Sequence, residues 1–339
     1  MTQVAILGAS GYTGGELLRL LLQHPNVDIV AASSQGLLGK PVHQAHPNLR
    51  GATDLRFSGR DLPDADVVFT CTPHGTTQHV VPDLLESGTT VIDLSADFRL
   101  RDPAAYEAEY GSVHAAPDLL AEAVYGLPEA HREALPGARL VSGVGCFATA
   151  MNLALLPLVG HLDGARIVVD GKIGSSAAGI DTNPAGMHAA RSRSLRLYAP
   201  TTHRHAAEVQ RLVGIRPSVS VHAAELVRGI LATCHILVED VPEEKDLWRL
   251  WRGRYGDEPF VHIVKERSGI HRGPDPKLVA GSNFADVGFH ADPDGGRIVA
   301  TCAIDNLVKG AAGSAVQSMN VVLGLDERTG LGHLPVHPQ

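Results

Sequence analysis

The chain opens on an apolar run, residues 4–7, followed by Gly8-Ala9-Ser10-Gly11-Tyr12-Thr13-Gly14 and then by an apolar stripe at helical spacing over residues 16–23. The run reads as a buried strand, the glycines as a turn, and the stripe as a helix that stops near Pro25. Residues 27–32 form a second apolar run, so the opening is a β-α-β unit. Residues 67–70 and 90–94 add buried strands with helical material between them, an alternation that predicts a parallel sheet with helices on both faces. After Cys146 the pattern changes. Residues 150–159 have helical character, and the segments 166–172, 219–225, 230–238, 260–264 and 298–305 alternate as half-buried strands do. They predict a second domain on a mixed or antiparallel sheet. Residues 306–324 read as one helix.

Length agrees with two domains: 339 residues exceed one ordinary core. With 44% apolar and 19% charged residues the chain is globular, and a net charge of −8 without a basic run argues against nucleic acid. Cys71, Cys146, Cys234 and Cys302 are scattered and form no C-x-x-C, which suggests neither a disulfide framework nor a zinc site and fits a reducing cytoplasm. A strand pattern from Gln3 leaves no room for a signal peptide. Residues 140–160 carry no charge, but Gly143, Gly145 and Pro157 break them into strand, loop and helix, so no membrane span is expected.

The spacing G-x-x-G-x-x-G at Gly8, Gly11 and Gly14 departs from G-x-G-x-x-G but keeps its physics. Small residues, here with Ser10, Tyr12 and Thr13 between them, let backbone approach a pyrophosphate, and the following helix aims its first amides at it. Glycines also serve plain turns; the position between strand and helix favours the nucleotide. The second strand ends in Ser33-Ser34-Gln35 with Lys40 beyond, where an NAD site usually has a carboxylate for the ribose 2′-hydroxyl. Hydroxyls and a cation suit a 2′-phosphate and predict NADP.

Cys146 stands in Ser-Gly-Val-Gly-Cys-Phe-Ala-Thr, after two glycines and where a helix should begin. A helix N-terminus stabilises a thiolate, glycine permits close approach of a substrate, and Thr149 adds a hydroxyl. A buried inert cysteine is the competing reading. A base is offered by Thr202-His203-Arg204-His205-Ala-Ala-Glu208: His205 and Glu208 share a helical face, which puts His205 before His203 as the acid/base. A surface histidine pair is the plainer alternative, and no further Cys/His cluster has metal-ligand spacing.

These segments, with "GASGYTGGELLRLL", "HPNLRG", "PHG", "DLSADFRL", "YGLPE", "GCFATA", "HRHAAEV", "RGI" and "DNLVKGAAGSAVQSMN", resemble the N-acetyl-gamma-glutamyl-phosphate reductases of arginine synthesis. They resemble more closely the sister group that reduces 2-aminoadipyl phosphate on an amino-group carrier protein in lysine synthesis. The resemblance runs essentially end to end. It implies an α/β chain: a Rossmann NAD(P)-binding domain over residues 1–146, completed by residues 306–339, and an α+β catalytic and oligomerisation domain over 147–305, like glyceraldehyde-3-phosphate dehydrogenase. It also implies NADPH, Cys146 as nucleophile, His205 as acid/base, Asn306 near the cofactor, and a homo-oligomer, dimer or tetramer. The reaction implied is thioester formation on Cys146 with loss of phosphate, then hydride transfer to give the semialdehyde.

Two departures from the arginine-type enzymes point to the carrier-linked group. Val144 stands where those enzymes usually have proline, and Ser175-Ser176-Ala177-Ala178-Gly179 replaces their Ser-Gly-Ala-Gly-Arg. Residues 183–205 also pack Arg191, Arg193, Arg196 and Arg204 together without a carboxylate. They read either as a solvated loop or as a docking patch for an acidic carrier. Arg99 reads as a ligand for substrate phosphate or carboxylate, or as a structural partner of Asp93 or Asp97. The arginine-pathway reaction is the nearest rival; aspartate-semialdehyde dehydrogenase is disfavoured by "HRHAAEV" and "DNLVKGAAG". A nucleotide-sensing regulator without chemistry is the rival from another class, and a Cys146 thiol no faster with a probe than a simple thiol would favour it.

Overall fold

The computed structural model describes residues 1–181 and 184–338; Asn183, the first residue of the arginine-rich segment, and Gln339, the last of the expected tail, lie outside the described residues. The chain divides into two compact units. One comprises Met1–Val144 and Ala311–Gly332, the other Gly145–Gly310 and the residues from His333 onward.

The first unit is built on seven strands: β1 (Thr2–Leu7), β2 (Val27–Ser33), β3 (Phe57–Ser58), β4 (Val67–Thr70), β5 (Thr90–Asp93), β6 (Val124–Tyr125) and β7 (Leu140–Ser142). Their order is β3-β2-β1-β4-β5-β7-β6, and every pairing is parallel. This is the doubly wound arrangement of a dinucleotide-binding domain. Strands buried on both faces explain the unbroken apolar runs: Val4, Ala5, Ile6, Val67 and Phe69 have essentially no exposed surface. Helix Tyr12–Leu21 turns Leu17, Leu18, Leu20 and Leu21 inward. The unit is completed by helix Gly313–Val322, where Asn320 Oδ1 lies 2.9 Å from His24 Nε2 and Gln317 Nε2 donates to Glu129 Oε1 at 3.0 Å.

The second unit contains β8 (Arg166–Ile173), β9 (Arg196–Ala199), β10 (Ser218–Ala223), β11 (Ile230–Leu237), β12 (Val261–Ile263), β13 (Ala285–Asp292) and β14 (Arg297–Ile304). The order is β12-β13-β14-β11-β8-β10-β9. Two pairs, β12 with β13 and β8 with β10, are parallel and the other four antiparallel, so the sheet is mixed. Helix Cys146–Leu155 covers one face: Val169, Gly171, Ala232, Cys234, Ala300 and Cys302 are buried. Gly171 is required there, because an added Cβ would lie 2.5 Å from the Phe147 ring. The alternate residues Val168, Asp170, Lys172, Thr233, His235 and Val299 remain partly exposed on the open face. β9 is an edge strand, and Leu197 and Tyr198 on it are exposed.

Three sequence expectations change. Residues 306–324 are not one helix: a π-turn, Val308–Ala312, in which the Gly310 N–H donates to the Asp305 carbonyl five residues back, precedes the α-helix. The residues from His333 group with the second unit rather than with the nucleotide-binding one. Helix Glu244–Tyr255 and strand β13 are additional elements; the helix seats Trp251 with its ring centroid 4.5 Å from that of Phe289. Among the described residues no helix is long and apolar enough to cross a membrane.

Candidate active site

Within the first unit the glycine loop joins β1 to the helix that starts at Tyr12. Gly8 has φ +83°, and a Cβ there would lie 2.7 Å from the Cys71 carbonyl oxygen. At Gly14 a Cβ would lie 2.6 Å from the Ala9 Cα, so helix and loop pack backbone to backbone. Gly11, the N-cap, has nothing within 4 Å of its Cβ direction, which leaves open space at the first helical amides. Tyr12 is exposed and Thr13 partly so. Such a loop fits a pyrophosphate. Ser34 Oγ donates to Ser10 Oγ at 2.9 Å, and Ser33 accepts the Ala9 N–H through its carbonyl; both serines are buried, while Gln35 is exposed. The following segment runs beside β3, with Gly39 and Lys40 bonded to Phe57, and Arg56 donates to the Gly39 carbonyl at 3.0 Å. Arg56 is an exposed cation beside the loop after β2 that the sequence hid, because it arrives from the residue just before the neighbouring strand β3. His46 was also missed: its Nε2 sits 2.8 Å from the Ala9 carbonyl, against Gly15, where a Cβ would lie 2.5 Å from its Nδ1.

In the second unit Cys146 is the first residue of its helix, behind the N-cap Gly145, and is partly exposed. The other cysteines are poor nucleophiles. Burial and then Asp93 push the Cys71 thiol up, burial pushes Cys234 up to about 12, and Cys302 is buried. Gly145 sits against the predicted base. A Cβ on it would lie 2.5 Å from Glu208 Oε1 and 2.6 Å from His205 Nε2. The Gly145 N–H donates to Glu208 Oε2 at 2.9 Å, and Glu208 Oε1 lies 3.8 Å from His205 Nε2, an ion-pair distance. Both side chains are buried, on the first turn of helix His205–Val213. The helical spacing seen in the sequence thus brings carboxylate, imidazole and the backbone before Cys146 together. His203 has another role. Burial first, then Arg204, lowers its pKa to about 4 against the pull of Glu208, so it is neutral at pH 7. Its Nδ1 accepts the His205 N–H at 3.2 Å, and its ring stacks edge-on against those of His205 and Phe147. Thr149 does not offer its hydroxyl to the thiol; Oγ1 donates to the Gly145 carbonyl at 3.0 Å.

Comparison with known proteins divides the chain near the same point. The family model described as "Semialdehyde dehydrogenase, NAD binding domain" matches residues 3–138, and "Semialdehyde dehydrogenase, dimerisation domain" matches residues 146–306. The chain belongs to the semialdehyde dehydrogenase family. Deinococcus radiodurans has a relative named LysW-L-2-aminoadipate 6-phosphate reductase, 48% identical over 99% of this chain and 98% of that one. A Cenarchaeum symbiosum relative, 49% identical over 99% of each chain, is provisionally named for both the LysW-L-2-aminoadipate and the LysW-L-glutamate phosphate. Among solved structures, aspartate semialdehyde dehydrogenase II of Vibrio cholerae, with its ligand ASA, superposes with a TM-score of 0.73 at 17% identity, covering 96% of this chain and 98% of that one; this likeness concerns the fold.

The other expected site residues of this semialdehyde dehydrogenase family chain fall into two groups. Several are tied into the scaffold. Arg99 is buried and donates to the carbonyls of Gly143 and Leu94. Asn306 accepts from the Gly229 N–H at 2.8 Å and donates to Ser176 Oγ at 2.9 Å, and the Ser175 N–H donates to the Leu226 carbonyl. Arg191 donates to the carbonyls of Ile173 and Ala224, so its guanidinium is a structural clamp, not a free docking charge. Arg193, Arg196 and Arg204 are exposed, the first at φ +56°. The patch is not free of carboxylates in space, since Glu225 accepts from Ser192 Oγ. Tyr198 was unexpected. Burial and then the charge of Cys146 raise its pKa, while Arg191 and Arg204 pull it down, so these groups share one electrostatic neighbourhood.

Proposed function

We propose that this chain reduces a carrier-protein-bound 2-aminoadipyl 6-phosphate to the semialdehyde, using NADPH and releasing phosphate. The observation that carries the reading is the pinning of Gly145 against His205 and Glu208 directly before a partly exposed cysteine at a helix N-terminus. That arrangement favours a thiolate and places a base with its counter-charge beside it. The names of the relatives supply the substrate and the carrier.

In the proposed reaction His205 takes the Cys146 thiol proton. The sulfur attacks the acyl carbon, a C–S bond forms, the C–O bond to phosphorus breaks, and the proton passes to the leaving phosphate. When bound, the nicotinamide would supply the hydride that adds to the thioester carbonyl on the way to the aldehyde. Cys146 leaves as thiolate and regains, through His205, a proton drawn from solvent. Glu208 stabilises the imidazolium at each stage in which His205 holds the proton. His203, neutral and accepting from the His205 N–H, orients the start of that helix.

The loop at Gly8, Gly11 and Gly14 would hold the pyrophosphate. Ser33 ends β2 and Ser34 and Gln35 follow it, without a carboxylate, and the exposed cations Lys40 and Arg56 lie in and beside the loop that follows, a setting suited to a 2′-phosphate. Arg193, Arg196 and Arg204 would receive an acidic carrier, and a second copy of the chain would cover the open face of the mixed sheet. The Cenarchaeum relative favours a second reading, in which the same chemistry acts on the glutamyl phosphate. The test compares kcat/KM for carrier-bound aminoadipyl phosphate, carrier-bound glutamyl phosphate and free N-acetylglutamyl phosphate, each with NADPH and NADH. The first substrate with NADPH should lead; preference for the free substrate would overturn the carrier reading, and equal use of NADH the cofactor reading.

A further inference from the structure

Cys146 is constrained from a second side. An added Cβ on Gly310 would lie 2.7 Å from Cys146 Cβ and 3.1 Å from its Cα. Gly310 is in the π-turn Val308–Ala312, and several contacts fix that turn. The Asp305 carboxylate accepts from the N–H groups of Leu307 at 2.7 Å, Val308 at 3.1 Å and Gly281 at 2.7 Å. Arg228 pairs with it at 3.2 Å. The Gly310 N–H donates to the Asp305 carbonyl at 2.9 Å. Lys309, next to Gly310, is wholly buried, its ammonium 5.6 Å from the Phe260 ring centroid.

We infer that Gly310 is a positioning residue for Cys146: the π-turn is a backstop whose bare Cα sets where the sulfur stands. This rests on Cys146 being the nucleophile. The backbone ahead of Cys146 is held by Glu208 through Gly145, and its flank by Gly310. A side chain on either glycine moves the cysteine relative to His205. Non-bonded carbons settle at about 3.5–4.0 Å, so one methyl on Gly310 demands a displacement of roughly 1 Å. Asp305 acts one step further back, by holding the turn in its widened form. The π-turn thus has a use: the extra backbone unit presents a glycine where a regular helical turn would present a different residue.

The test is Gly310→Ala in the full-length enzyme. A misplacement of about 1 Å at a reacting atom costs about 100-fold, so kcat should fall by about that factor. KM for the acyl phosphate and affinity for NADPH should stay within about two-fold, because the lost interaction concerns the reacting sulfur rather than ground-state binding. The pH profile of Cys146 alkylation by iodoacetamide should also shift, a readout that simple loss of stability leaves in place. Asp305→Asn, which leaves Gly310 intact but gives the turn a weaker anchor, should show a smaller kcat loss with the same profile shift; it decides the matter if Gly310→Ala does not fold. A folded Gly310→Ala enzyme with wild-type kcat and an unshifted alkylation profile overturns the inference. Cys146→Ser separates the two layers. Turnover by that variant would remove the nucleophile itself, whereas an inactive Cys146→Ser beside an unaffected Gly310→Ala would remove only the backstop.

Discussion

Replacing Glu208 with glutamine removes one charge and almost nothing else. The wild-type carboxylate is fully buried, accepts the Gly145 N–H through Oε2 and stands 3.8 Å from His205 Nε2. Glutamine keeps the shape and one oxygen for the Gly145 N–H. It cannot offset the charge of a protonated His205. Unit charges about 4 Å apart attract by about 4 kcal/mol at an effective dielectric of about 20. Desolvation and the glutamine dipole return part of this, leaving a loss of about 2–4 kcal/mol. At about 1.4 kcal/mol per decade, kcat should fall about 30- to 1000-fold where proton transfer through His205 limits the rate. The assay is steady-state NADPH oxidation, with NADPH affinity and the thermal midpoint as controls, neither of which should change appreciably. Glu208→Ala should be worse on every count, because it also releases Gly145. A Glu208→Gln enzyme within about two-fold of wild type would refute the electrostatic role. Equal losses for the two variants would mean that the charge carries the whole effect and that the hydrogen bond to Gly145 adds nothing.

His203 carries a pH prediction. Burial lowers its folded pKa to about 4, below the ordinary value, so the unfolded chain takes up a proton first as pH falls. Stability is then full above about pH 6.5 and is lost progressively towards about pH 4, and thermal midpoints across that window should show a slope that His203→Asn flattens. The same variant should lower kcat less than His205→Asn, and the reverse order would reassign the base. Replacing Arg193 and Arg196 with alanine, and sparing the clamp Arg191, should lower kcat/KM for carrier-bound substrate and weaken its salt dependence, with NADPH affinity unchanged; full activity at low salt would remove the docking patch.

The parallel sheet was legible because both its faces are buried, and apolar runs such as residues 67–70 have no other explanation. The Cys146, His205 and Glu208 set was legible because two local signals, glycines before a cysteine and a histidine three residues before a glutamate, are short-range. Contacts made by backbone were not. Nothing in residues 306–324 shows that Asp305 turns back on the amides of Leu307 and Val308, or that Gly310 faces a cysteine far earlier in the chain. Arg191 misled for the same reason: its sequence neighbours lack carboxylates, but its partners are carbonyls of Ile173 and Ala224, on and just after other strands. The helix Glu244–Tyr255 did carry a signal, Leu247, Trp251 and Tyr255 four residues apart, all three buried. Strand β13 is masked by Gly288, placed where a Cβ would lie 2.9 Å from the Val264 carbonyl.

The return of the chain to its first unit at Ala311 governs the order in which the protein is made. Ala315, Val316 and Met319 are buried in that unit, and Asn320 reaches His24 across almost the whole length of the sequence. On a ribosome the strands of the parallel sheet emerge before those of the mixed sheet, yet they lack this helix until residues 313–322 have been made. The intervening residues, Gly145–Gly310, are complete earlier and include all seven strands of their own sheet. Domains generally fold as units while the chain emerges. The second unit therefore has the earlier opportunity to close, and the first unit remains without the helix that carries Ala315, Val316 and Met319 until that segment has emerged.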